Sequence, residues 1–125
     1  MKSIWGALFV IILLLVGVSS MSCKKKSNPT GPGSGADEVI QIAGQLGASS
    51  FVPSPDTILV NMKVSWHNSD GITHTASSTS GPATFNTGNI GGGGDASVIT
   101  FSTPGVYNYR CNIHTSMTGQ LVVLP

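Results

Sequence analysis

The stretch Phe101-Ser102-Thr103-Pro104-Gly105-Val106-Tyr107-Asn108-Tyr109-Arg110-Cys111, continued by Asn112-Ile113-His114-Thr115-Ser116-Met117, decides the reading of this chain. After the turn residues Pro104-Gly105 it alternates, with Tyr107, Tyr109 and Cys111 on one face and Arg110 on the other. That alternation predicts a strand with one buried face and Cys111 turned inward at its end. The continuation then sets a thiol, an imidazole and a thioether at the spacing C-x-x-H-x-x-M.

Upstream, Trp66-His67-Asn68-Ser69-Asp70-Gly71-Ile72-Thr73-His74 offers a second loop histidine, His74. His74, Cys111, His114 and Met117 together form the donor set of a mononuclear copper site that transfers electrons. Thiolate and thioether suit Cu(I), whereas imidazole suits Cu(II). A trigonal plane of two His and one Cys with a weak axial Met serves both states, so little moves when an electron arrives. His67 neighbours the inward-facing Trp66 and is expected to point outward. Met62 alternates with Ile58, Val60, Val64 and Trp66 and reads as core or turn.

The rest of the domain is expected to be all β. Short strands are predicted at Val39–Ile42, Ile58–Val60, Val64–Trp66, Thr73–Ser77, Ala83–Phe85, Ser97–Phe101, Val106–Cys111 and Gln120–Leu124. Turn residues separate them, at Pro53-Ser54-Pro55-Asp56, Ser80-Gly81-Pro82 and Gly91–Gly94. No long stretch repeats at helical spacing, so the expected fold is a two-sheet sandwich. Trp66, Phe85, Phe101, Tyr107 and Tyr109 are assigned to its core.

The segment Phe101–Met117 with Gly119, Val122 and Val123 resembles the last two strands of the cupredoxins, the blue type 1 copper proteins. The resemblance extends over about 90 residues, 36–125. The two-residue gap between His114 and Met117 is most similar to amicyanin; plastocyanin and pseudoazurin have a longer gap. Trp66–Asp70 followed by His74 resembles the strand and loop that deliver the first histidine ligand. The resemblance implies a Greek-key β-sandwich or barrel, one type 1 copper held by His74, Cys111, His114 and Met117, and one-electron transfer. It also implies that Asn68, Thr75, Asn112 and Ile113 surround the ligands, and that His114 is the exposed ligand through which redox protein partners dock. Ile72, Pro82, Ile113 and the Gly91–Gly94 loop are the candidates for an apolar patch around it.

Three positions depart from the family pattern. Asn61-Met62 replaces a Gly-Asp turn, and Asn is the non-Gly residue most tolerant of a left-handed backbone. Thr75 stands where relatives carry an Asn that ties the two ligand loops, and a Thr hydroxyl can make a similar bond. Ile113 stands where plastocyanin and amicyanin have Pro, which restores a backbone N–H beside the thiolate.

The N-terminal part reads differently. Residues 1–22 comprise Met1-Lys2, an apolar run from Ile4 to Val18 and the small residues before Cys23, which fits an export signal better than a membrane span. Ser22-Cys23 points to a bacterial lipoprotein signal with acylation of Cys23; an uncleaved anchor or cleavage elsewhere are the alternatives. Residues 23–35 form a linker. Its run Lys24–Gly35 reaches roughly 40 Å when extended and about 20 Å as a coil. The expected location is periplasmic or cell-surface, on a membrane through Cys23, with residues 36–125 as a monomeric domain. A Cys23–Cys111 disulfide would remove the proposed ligand, whereas acylation accounts for the spare thiol.

Charge narrows the partners. From Ala36 onward Lys63 and Arg110 face Asp37, Glu38, Asp56, Asp70 and Asp95, a net charge of −3, so nucleic acid is not an expected partner. Enzymatic readings fail on inventory. Copper oxidases and nitrite reductases of this fold need further copper sites and more histidines, and the chain has only His67, His74 and His114. Zinc is a poor match for Met. Copper carried as cargo and a metal-free interaction module are the alternatives to an electron carrier.

Overall fold

The computed structural model describes residues 35–125. The proposed signal at 1–22, Cys23 and nearly all of the linker lie outside the described residues. Eight strands follow one another: β1 (Glu38–Ile42), β2 (Phe51–Val52), β3 (Asp56–Leu59), β4 (Lys63–Asn68), β5 (Ser77–Ser80), β6 (Ile99–Thr100), β7 (Gly105–Arg110) and β8 (Thr118–Leu124), with one 3-10 turn at Gly47–Ser49.

They form two four-stranded sheets, ordered β2-β1-β4-β6 and β3-β8-β7-β5. Each sheet mixes directions, because β1 runs parallel to β4 and β3 parallel to β8 while the other neighbours are antiparallel. The chain changes sheet at every connection from β2 to β7, so the two sheets are laced into one sandwich. The expected all-β, cupredoxin-like sandwich is the fold observed.

Alternation explains what fills it. Ile40 and Ile42 of β1 and Val64 and Trp66 of β4 face Ile58, Tyr107, Tyr109, Leu121 and Val123 of the other sheet, all buried. Burying each such side chain contributes about 1.5–3 kcal/mol. The aromatic rings meet largely edge to face: Trp66 and Tyr109 at 5.8 Å, Phe101 and Tyr107 at 5.1 Å, Phe51 and Tyr109 at 4.8 Å. Tyr109 can lie flat across β8 because its register partner is Gly119, where any Cβ would collide with the ring. Tyr107 donates its hydroxyl to the Thr103 carbonyl at 2.8 Å, pinning the turn that launches β7. Asn61 adopts φ 68°, so the left-handed bend before β4 survives without glycine.

Three elements differ from expectation. Phe51–Val52 forms a short strand outside the predicted set, since two residues ahead of Pro53 carry no alternation. The predicted strand at Thr73–Ser77 begins only at Ser77. The backbone N–H groups before it are used elsewhere: His74 donates to the Ile90 carbonyl, Thr75 to the Cys111 sulfur and Ala76 to the Thr87 hydroxyl. Ala83–Phe85 forms no strand, because Phe85 N–H and C=O both bond Ser78 in a local clasp. Phe85 nevertheless packs on the core, stacked on Trp66 at 5.4 Å.

Candidate metal centre

Four segments meet at one end of the sandwich. β7 ends at Arg110, paired with Thr118 of β8, and the next pair outward is Cys111 with Met117, whose carbonyl accepts the Cys111 N–H at 3.0 Å. Residues directly opposite on antiparallel strands share a face. Cys111 and Met117 both turn inward and are fully buried. The loop between them is tight, since Met117 N–H donates back to the His114 carbonyl at 2.9 Å. That turn presents the His114 ring toward Cys111, with its Nδ1 3.9 Å from the sulfur.

His74 arrives from the β4–β5 connection, which Asn68 braces from the buried end of β4. The Asn68 amide donates to the carbonyls of Ile72 at 2.7 Å and Ile90 at 2.9 Å, and its side-chain oxygen accepts the Asp70 N–H. The glycine loop packs beneath: Gly93 N–H donates to the Asn68 carbonyl, and a Cβ at Gly92 would stand 2.8 Å from the Gly71 backbone. So held, His74 is fully buried, with Nδ1 3.9 Å from the Cys111 sulfur and 3.1 Å from His114 Nδ1.

The other edge of the His74 ring meets Asp70, whose Oδ2 lies 2.9 Å from Nε2. A carboxylate only accepts, so Nε2 carries the hydrogen and Nδ1 presents a lone pair toward Cys111 and His114. The His74 ring N–H, helped by the Gly71 N–H, holds the Asp70 carboxyl below the ordinary carboxylate value. Asp70 is a residue of the centre that no sequence motif singles out. Its signal was a carboxylate four residues before a loop histidine.

Thr75 joins the two ligand loops. Its hydroxyl accepts the Asn112 N–H at 2.8 Å, and its own N–H points at the Cys111 sulfur at 3.4 Å. Asn112 adds a side-chain bond to the Ser77 hydroxyl at 2.8 Å. His114 N–H also points at the sulfur at 3.4 Å. Burial opposes ionisation of the Cys111 thiol and is the largest single influence on it. The His114 and Thr75 N–H groups and, last, the Ile113 N–H oppose it, and the thiol comes down to about 6.

His114 is half-buried; Ile113 beside it and Ile72, two residues before His74, are exposed, at 49% and 42%, and the glycine loop meets the His74 loop through Gly92 and Gly71. Pro82 does not belong to this surface. It packs on Gly105, at the opposite end of β7 from Cys111, because the β5–β7 pairing is antiparallel. His67 faces outward as expected and pairs with Asp95 at 2.8 Å, away from the cluster.

Two imidazole nitrogens and the Cys111 sulfur therefore converge. Three donor atoms within 4.8 Å of one another make a cradle suited to a metal cation. The separations, 3.1, 3.9 and 3.9 Å, are about those of ligands sharing one transition-metal ion through bonds of roughly 2.0–2.3 Å. The mixture of thiolate, imidazole and an adjacent buried thioether selects copper.

The sequence model of the copper-binding proteins of the plastocyanin/azurin family matches residues 39–124. The chain belongs to the cupredoxins. No curated protein matches the sequence significantly. Among solved structures, this cupredoxin is similar to a Cu-containing nitrite reductase from Thermus scotoductus, with 32% identity and a TM-score of 0.61. That match covers 70% of this chain but 22% of the reductase, so the cupredoxin spans about a fifth of it. A purple cupredoxin from Nitrosopumilus maritimus shares 24% identity over 69% of this chain and 98% of its own, with a TM-score of 0.60. A reduced Cu(I) amicyanin variant shares 25% identity over 74% and 85%, with a TM-score of 0.59. The cofactor of this cupredoxin is one type 1 copper.

Proposed function

We propose that His74, Cys111, His114 and Met117 hold the copper and that the protein is a one-electron carrier. When bound, the copper supplies a reversible Cu(I)/Cu(II) couple. The observation that carries the reading is unequal burial: three of the four residues are sealed from solvent and only His114 reaches the surface. Sealed ligands keep solvent and competing chelators away from the metal. The half-buried His114 ring is the port for electrons, framed by exposed Ile72 and Ile113, on which a redox protein docks. The N–H groups of Thr75 and His114, with a weaker contribution from Ile113, neutralise part of the sulfur charge. Asn68, Thr75 and Asn112 lock both loops, so the donor atoms are prearranged and little reorganises between redox states.

Copper as cargo is the second reading. A delivery site exchanges its metal and so favours open, exposed donors, and the burial of His74, Cys111 and Met117 argues against it. We further propose that residues 1–22 direct export, that acylated Cys23 anchors the protein to a membrane, and that the domain acts without catalysing a reaction. His67, the one histidine outside the cluster, is taken up by Asp95. Among the described residues no helix is long and apolar enough to cross a membrane.

The absorption spectrum of the copper-loaded, oxidised protein tests the site. An intense visible band from thiolate-to-Cu(II) charge transfer is expected; a colourless Cu(II) protein would end the blue-copper reading. Voltammetry then separates the two functions. A carrier cycles reversibly with copper retained, whereas a cargo protein loses metal in one state.

A further inference from the structure

The two histidines of the cluster are not equivalent. His74 is fully buried and its Nε2 is 2.9 Å from Asp70 Oδ2; His114 is half-buried, and its ring bonds among the described residues are made by Nδ1. Asp70 is itself fixed. Its Oδ1 accepts the Gly71 N–H at 2.6 Å and its backbone N–H donates to Asn68 Oδ1 at 2.9 Å, so Oδ2 is left aimed at the ring. A Cβ at Gly44 would meet Oδ2 at 3.6 Å, an ordinary van der Waals contact.

From this geometry we infer that Asp70 is a positioning residue that sets the redox balance of the centre through His74. Resting on the reading of His74 as a copper ligand, the inference assigns Asp70 two separable effects. The carboxylate fixes the ring as the Nε2–H tautomer, so Nδ1 is ready to bind without rearrangement. Its negative charge also raises the electron density of the ring. A more basic imidazole favours Cu(II) over Cu(I), so Asp70 holds the reduction potential down. His114, whose ring bonds no carboxylate among the described residues, contributes exposure instead of basicity. A carboxylate that only shaped the loop would act through Gly71 and Asn68 and would affect neither the tautomer nor the potential.

The test begins on the metal-free protein. Long-range proton–nitrogen NMR at neutral pH is expected to show His74 wholly as the Nε2–H tautomer in the native protein and in Asp70→Asn, and as a mixture in Asp70→Ala. A native His74 protonated on Nδ1, or an unchanged tautomer in Asp70→Ala, overturns the inference, and the native measurement stands even where a variant fails to fold. Copper-loaded Asp70→Asn, which keeps the shape and the acceptor but loses the charge, is expected to bind Cu(II) about 10–100-fold more weakly with Cu(I) affinity unchanged. Each tenfold change raises the potential by about 59 mV. Asp70→Glu, which retains the charge, is expected to lie closer to native than Asp70→Asn. A native potential in Asp70→Asn overturns the inference while leaving the copper site intact. A His74→Ala protein that keeps the native visible spectrum overturns instead the ligand assignment on which the inference stands.

Discussion

The Thr75 hydroxyl accepts the Asn112 backbone N–H at 2.8 Å, tying the loop that carries His74 to the loop that carries His114. Both loops leave the same end of the sandwich, and Thr75 N–H also addresses the Cys111 sulfur. Thr75→Val keeps the shape and deletes the hydroxyl. The variant is expected to lose about 1 kcal/mol of stability and about tenfold or more in copper affinity, read by denaturant titration and competition with a chelator. Thr75→Asn is expected to recover much of the affinity, and equal affinities in all three proteins would show that the tie is dispensable.

Cys111 and Met117 face inward from directly opposed positions and contribute unequally. Cys111→Ser is expected to abolish the intense visible band, because a hydroxyl cannot supply the sulfur charge transfer. Met117→Leu is expected to keep most of that band while the potential rises, since the weak axial donor that favours Cu(II) is gone. Visible spectra and voltammetry of both variants check the assignment, and a Cys111→Ser protein that stays intensely coloured contradicts it.

The metal-free protein carries a pH signature. The folded Cys111 thiol ionises near 6, against an ordinary value of 9.0. Between these values the unfolded chain holds a proton that the folded protein has released, so stability rises with pH. The gain is complete above about 9 and is lost as pH falls through about 6, and three units amount to about 4 kcal/mol at most. Denaturant titrations across that window, with thiolate ultraviolet absorbance as the direct probe, are expected to show both changes in the native protein and neither in Cys111→Ala. Ile113→Pro, which deletes the weakest of the N–H contributions, is expected to shift the thiolate midpoint upward by a small amount and lower the copper potential.

Gly92 is confined by space. A Cβ there would stand 2.8 Å from the carbonyl of Gly71, in the loop that supports His74. Neither contact is a flexible side chain, so backbone must shift. Gly92→Ala is expected to cost about 1–3 kcal/mol and to weaken copper retention, whereas Gly91→Ala, with open space around it, is expected to be near native. Thermal unfolding and chelator competition on the pair provide the comparison.

Anchoring is a separate question from folding. Cys23→Ser is expected to release the protein from membranes without altering the copper spectrum, and mass spectrometry of the mature native protein is expected to show an acylated Cys23 at its N-terminus. An unmodified N-terminus at another residue would refute the lipid anchor.

By itself the sequence determined the features whose parts lie close together along the chain. Cys111, His114 and Met117 lie on one short loop, where C-x-x-H-x-x-M spacing and the alternation of β7 already dictate which side chains turn inward. The aromatic core was legible for the same reason, as was the left-handed turn at Asn61, because strand period and backbone preference are local properties. Tertiary structure alone decided which loops meet. His74 stands 37 residues before Cys111, yet its Nδ1 lies 3.9 Å from that sulfur only because β4 and β7, in different sheets, end on the same side of the sandwich. Asp70 became part of the centre, and Pro82 fell away to the far end of β7, through the same packing. Alternation says which face of a strand a residue occupies but not which strand ends are neighbours; that is set by the lacing of two sheets around a shared core.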